Sequence, residues 1–142
     1  MKRFKFELEN VMQLRKFREE ECKVALGQAV SILNKIENEI KETAVKKHNA
    51  ALQRFVDIRE TDAWENYIIR LDQEALRLTE KAAQAEIVVE EKRGLYLEAQ
   101  KDLKIMEKLK EKKQKEYRKE MLNYEMNEND DLTASRYMAD LR

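Results

Sequence analysis

Proline is absent from the 142 residues and glycine occurs only twice, as Gly27 and Gly94. Those two residue types mark most chain reversals, so a many-turned sandwich, a barrel or a βα-repeat enzyme does not fit this chain. The single cysteine, Cys22, cannot form an internal disulfide, which fits a reducing compartment. The single histidine, His48, leaves no His/Cys cluster at metal-binding spacing and no Ser-His or Cys-His pairing. The glycines stand 67 residues apart, so there is no phosphate-cradling loop. No apolar run approaches the roughly 20 residues that cross a bilayer. Met1-Lys2-Arg3 runs into alternating charge without the apolar segment of a signal peptide, so a cytoplasmic location is expected. Neither a catalytic site nor a cofactor or metal is expected.

Charge is abundant instead. Lys and Arg number 29, Asp and Glu 29, and the net charge is zero. The charged fraction of 41% exceeds the roughly one quarter of an ordinary domain, beside a hydrophobic fraction of 42%. A composition dominated by Ala, Glu, Lys, Leu and Arg signals long helices or a coiled coil if apolar residues recur regularly, and disorder if they do not.

They recur regularly. Alternating steps of four and three from Trp64 give Trp64, Ile68, Leu71, Ala75, Leu78, Ala82, Ala85, Val89, Lys92, Tyr96, Ala99, Leu103, Met106, Lys110, Lys113, Tyr117, Glu120 and Tyr124. All but four are apolar or aromatic, which is a coiled-coil seam of period 3.5. A looser stripe precedes it: Phe4, Leu8, Val11, Leu14, Cys22, Ala25 or Leu26, Ala29, Leu33, Ile36, Ile40, Ala44, Ala51, Phe55 and Ile58, with a gap at Lys47. The spacing predicts one all-α domain over residues 1–142, a long two-helix antiparallel coiled-coil hairpin. Helix 1 is expected over about 5–58, a turn over about 59–61, helix 2 over about 62–128, and a frayed tail over 129–142. Asp62 and Glu65 form the expected capping box of helix 2, and Asn127 to Asp131 the expected stop. At about 1.5 Å per residue the helices would run roughly 80 and 100 Å, so the second outruns the first beyond about Lys119.

The charge is segregated. Residues 101–120 hold nine basic against five acidic groups and residues 1–23 seven against five, so the open end of the hairpin is basic. Residues 121–131 hold four acids and no base. Lysines at seam positions 110 and 113 weaken pairing there and suggest a partner or helices that separate. His48 is expected on the surface or at the seam edge, and Cys22 in the seam as a small apolar residue. Trp64, Tyr67, Ile68 and Ile69 crowd the turn with more apolar surface than one seam requires, either as a packed turn or as a binding patch.

Met1-Lys2-Arg3-Phe4-Lys5-Phe6-Glu7-Leu8-Glu9-Asn10-Val11-Met12-Gln13-Leu14-Arg15 resembles the opening of the FliJ family, through a Phe-x-Phe-x-Leu-x-x-Val-hydrophobic-x-Leu-Arg pattern. Size, the lack of proline, the hairpin layout, Trp64-x-Asn66-Tyr67 after the turn and the basic approach to a Met-rich tail are similar too. The resemblance implies an antiparallel coiled coil similar to the central stalk, or gamma subunit, of rotary ATP synthases. It implies a soluble, non-enzymatic part of the bacterial flagellar type III export apparatus. Its open end would meet the hexameric export ATPase, its shaft the cytoplasmic domain of the membrane export gate, and it would help escort export chaperones.

Carried onto this chain, the ATPase-facing residues are Phe4, Phe6, Leu8, Val11, Leu14, Arg15, Lys112, Lys115 and Lys119. Phe4 and Phe6, two apart on a helix, cannot share one seam, so one must face another molecule. The gate-facing candidates are Phe55, Tyr67, Arg70, Glu74 and Arg77, a charged set where an apolar stripe would be expected. A self-associating coiled-coil adaptor would use the same heptads. A nucleic-acid-contacting arm would use the basic run 108–115, but acids interrupt it and no aromatic platform accompanies it, so no nucleic acid is expected.

Overall fold

A computed structural model describes residues 2–53 and 59–141. Two helices make up the order, α1 (Glu9–Leu52) and α2 (Arg59–Asp140), packed against each other as a hairpin. By contact the chain divides into two compact units, Met1–Glu19 with Ala99–Arg142, and Glu20–Glu98, and both helices run through both.

The second seam stands as the period predicts. Every position from Trp64 to Lys110 in the four-and-three progression is buried or half-buried, as is Tyr117, whereas Lys113, Glu120 and Tyr124 are exposed. The first helix corrects the reading. Besides half-buried Glu9, Ala25, Val30 and Glu39, its covered residues are Met12, Arg15, Glu19, Cys22, Leu26, Ala29, Leu33, Ile36, Ile40, Thr43 and Ala50, with exposed Lys47 between the last two. These alternate by three and four without a break, so α1 carries a heptad as strict as that of α2. Leu8, Val11, Leu14, Ala44 and Ala51, expected on the seam, are exposed. The period was obscured because polar Arg15, Glu19, Thr43 and Lys47 stand at seam positions, while apolar neighbours one residue away point outward.

Several polar groups in the seam have partners. The Thr43 hydroxyl donates to the Glu39 carbonyl at 2.9 Å, turning a polar group back onto its own helix. Lys47 reaches Asp72 at 2.5 Å across the pair in the Glu20–Glu98 unit. Around them, alanines 29, 50 and 82 let the helices approach and larger side chains fill the space, with Leu78 only 1% exposed. The Trp64 indole donates to the Ala50 carbonyl at 2.8 Å, which satisfies one of the terminal carbonyls of α1 and ties it to the start of α2.

The ends also differ from the expectation. α1 begins at Glu9, and residues 2–6 precede it without helical structure. α1 ends at Leu52, and α2 already contains Arg59, Glu60 and Thr61, where the turn was placed. Asp62 therefore lies in the first turn of α2, where its charge suits the helix dipole, and does not cap it. Phe55 and Ile58, the last residues of the expected first stripe, lie outside the described residues. α2 also passes through Asn127 to Asp131 and reaches Asp140. Asn and Asp each cost a helix well under 1 kcal/mol relative to Ala, and with no proline or glycine nearby nothing stops it.

Candidate functional site

The Met1–Glu19 with Ala99–Arg142 unit holds all nine residues expected to face the ATPase. Residues 2–6 lie along α2 rather than continuing α1. The Phe4 and Tyr117 rings sit 5.5 Å apart at 49°, and the Tyr117 hydroxyl donates to the Lys2 carbonyl at 2.6 Å. The Glu9 amide donates to the Phe6 carbonyl at 3.1 Å, closing the turn into α1. Phe4 and Phe6 are both half-buried. Helical spacing therefore drives neither of them outward, because neither is on a helix.

The outward apolar residues are those misread as seam. Val11 is 38%, Leu8 40% and Leu14 68% exposed, and Phe17 and Ile105 are exposed beside them in the sequence of each helix. Arg15 points inward, with its guanidinium donating to the Asp102 carbonyl at 3.2 Å. That bond ties α1 to α2 in this unit. Lys112, Lys115 and Lys119 are exposed, and Lys115 makes a 3.6 Å pair with Glu111 of its own helix.

Two contacts that the sequence reading did not foresee organise this end. The Lys110 ammonium donates to the Glu9 carboxylate at 3.0 Å, so the seam lysine is neutralised from across the pair. That bond, followed by one from the Gln13 amide, holds the Glu9 carboxyl below its ordinary value. Tyr117 anchors the N-terminal segment. Its place in the heptad was legible, whereas its partners depend on residues 2–6 leaving the helix. Open grooves flank that segment, one of about 730 Å³ between Phe6, Glu9, Lys110 and Gln114. Beyond Tyr117, every described residue of α2 is exposed, including Met121, Leu122, Tyr124 and Met126.

The gate-facing candidates fall in the Glu20–Glu98 unit, apart from Phe55, which lies outside the described residues. Tyr67, Arg70, Glu74 and Arg77 follow one flank of α2 at alternating spacings of three and four. The Arg70 guanidinium stands 6.0 Å from the centre of the Tyr67 ring. Arg77 makes two hydrogen bonds to Glu74, at 2.6 and 3.0 Å, which lower the Glu74 carboxyl and raise the Arg77 guanidinium. Lys46 attracts Glu74, and Glu39 attracts Arg77, so the matching flank of α1 faces them. Of the aromatic cluster at the start of α2, Trp64 and Ile68 are half-buried in the seam, and Tyr67 and Ile69 are exposed. Cys22 is half-buried in the seam and His48 exposed.

Among the described residues no group of three His, Cys, Asp or Glu side chains is placed to hold a metal ion, and no helix is long and apolar enough to cross a membrane. Comparison with curated proteins and with solved structures gives no match. The family model described as Flagellar FliJ protein matches residues 4–142. That match begins at Phe4 and takes in both helices, their heptads and the exposed end of α2. The chain therefore belongs to the FliJ family and is a component of the flagellar export apparatus.

Proposed function

We propose that the chain acts in the cytoplasm as a non-enzymatic stalk that docks its open end in the hexameric export ATPase. The observation that carries this reading is the state of α2 beyond Tyr117. There the helix has left α1 behind and presents a single exposed strand of side chains next to a basic, partly apolar flank. An unpaired helix with exposed Met121, Leu122, Tyr124 and Met126 gains little from its own chain and much from a surrounding ring.

In this reading Leu8, Val11 and Leu14 make the apolar contacts, Lys112, Lys115 and Lys119 steer the approach, and Phe4 and Phe6 shape the end by holding residues 2–6 on α2. Arg15 keeps α1 in register. The flank from Tyr67 to Arg77 is the candidate contact for the export gate, recognised through ordered charge more than through apolar burial. Escort of export chaperones is part of the same family role. The protein contributes binding energy and geometry, and the ATPase supplies the chemistry.

ATP turnover by the flagellar export ATPase, with and without this protein, tests the reading. The wild type should stimulate turnover. Leu14→Ala and the double variant Phe4→Ala/Phe6→Ala, at matched helicity, should lose most of that stimulation. No binding and no change in turnover from well-folded protein would favour a coiled-coil adaptor.

A further inference from the structure

The Met1–Glu19 with Ala99–Arg142 unit contains two surfaces of opposite charge that complement each other but lie on the same chain. The first is the outer side of α2. Lys101, Ile105, Lys108, Lys112, Lys115 and Lys119 follow one another at spacings of four and three, so they form a single stripe, and all six are exposed. An acid interrupts this stretch of sequence four times but never this stripe. The adjoining flank is apolar. Leu109 precedes the seam residue Lys110 and Val11 precedes the seam residue Met12, which puts both on the same flank of an antiparallel pair, with exposed Leu14 and Ile105 further out on that side.

The second surface is the end of α2. Residues 121–131 carry Glu125, Glu128, Asp130 and Asp131 with no base, interleaved with exposed Met121, Leu122, Tyr124 and Met126. A straight helix cannot fold back onto its own preceding turns, so the acidic end cannot reach the lysine stripe of the same chain. A second copy running antiparallel can offer it. With the two chains crossing near Lys119, residues 120–131 of each lie beside the stripe of the other, and the contact is made twice by one two-fold axis.

We infer that the acidic, apolar end of α2 docks on the lysine stripe and its apolar flank in a second copy of this chain, giving a reciprocal dimer. This goes beyond the ATPase-docking reading and does not rest on it. The pairing leaves the seam of each hairpin intact. Its charges are exposed, so salt weakens it as the screening length shrinks from about 30 Å at 0.01 M to about 3 Å at 1 M.

Sedimentation velocity on the full chain over a concentration series is the test, with far-UV circular dichroism to check folding. A species of twice 17.0 kDa should form at low salt and return to one chain at high salt. Lys108→Glu/Lys112→Glu should lose the dimer, as should Glu125→Lys/Glu128→Lys, and mixing the two variants should restore pairing between them. The inference fails if the chain is monomeric throughout, or if a dimer persists in both charge variants, which would be seam pairing. It also fails if the monomer uses the stripe to retain a mixed-sequence oligonucleotide.

Discussion

Tyr117 shows how much one side chain decides at the open end of this hairpin. It occupies the seam, packs its ring at a tilt against Phe4 and donates its hydroxyl to the Lys2 carbonyl. Tyr117→Phe keeps the ring and removes the donor, at a cost of about 0.5–1.4 kcal/mol for one hydrogen bond. The Glu9 amide, which depends on that segment staying docked, should then exchange its hydrogen about two- to tenfold faster by mass-spectrometric or NMR readout. An unchanged rate would show that the ring contact alone holds residues 2–6. Glu9 itself adds a pH dependence. Its carboxyl is lowered below its ordinary 4.5 by Lys110 first and Gln13 second. A group with a depressed folded value contributes stability above its ordinary value and loses it as pH falls through the lowered one. Glu9→Gln should therefore lower the thermal midpoint at pH 7, and the difference should vanish once the pH is well below 4.5. In the other unit, Leu78 is the most deeply buried large side chain, at 1% exposed. Leu78→Ala should cost about 2–3 kcal/mol in urea denaturation, the low end of the usual range, because a two-helix seam can close partly over the void.

At the scale of the helices, both glycines are spare. Gly27 and Gly94 lie within α1 and α2, neither has a positive φ, and an added Cβ would meet nothing within 4 Å. Gly27→Ala and Gly94→Ala should each stabilise the chain by about 0.5–1 kcal/mol, measured by denaturation, through the backbone entropy that glycine loses in a helix. The same period that places these residues made α2 legible from sequence, because nearly all its seam positions are apolar. α1 was legible as a helix but not in its face. Arg15, Glu19, Thr43 and Lys47 occupy seam positions, and the more apolar stripe in the sequence runs through Leu8, Val11, Leu14 and Ala44, which are exposed. Contacts across the pair, to the Asp102 carbonyl for Arg15 and to Asp72 for Lys47, and within α1, to the Glu39 carbonyl for Thr43, accommodate three of those polar side chains. The helix starts and the N-terminal segment were not legible for a related reason. Residues 2–6 pack through Phe4 on Tyr117, more than a hundred positions away in sequence, and no local pattern announces such a contact.

For the whole molecule, the candidate apolar contacts are exposed for a reason that the apolar pattern hides. Leu8, Val11 and Leu14 were grouped with the open end because they open the family-like motif, and they are available to a partner because the heptad runs through Met12 and Arg15. The end of α2 is helical without a neighbour, so its hydrogen bonds rest on local propensity alone. At high salt, where copies do not pair, amides of residues 121–139 should exchange far faster than those of residues 71–106, where the seam is covered, and equal protection would show that the end is engaged within its own chain. The measurement that tests the central claim most directly is native mass spectrometry of the flagellar export ATPase ring mixed with this protein. The account predicts one chain bound per hexamer, with occupancy lost for Val11→Asp/Leu14→Asp at unchanged helicity. A folded chain that leaves the ring unoccupied, or a ring that takes the variant as well as the wild type, would contradict it.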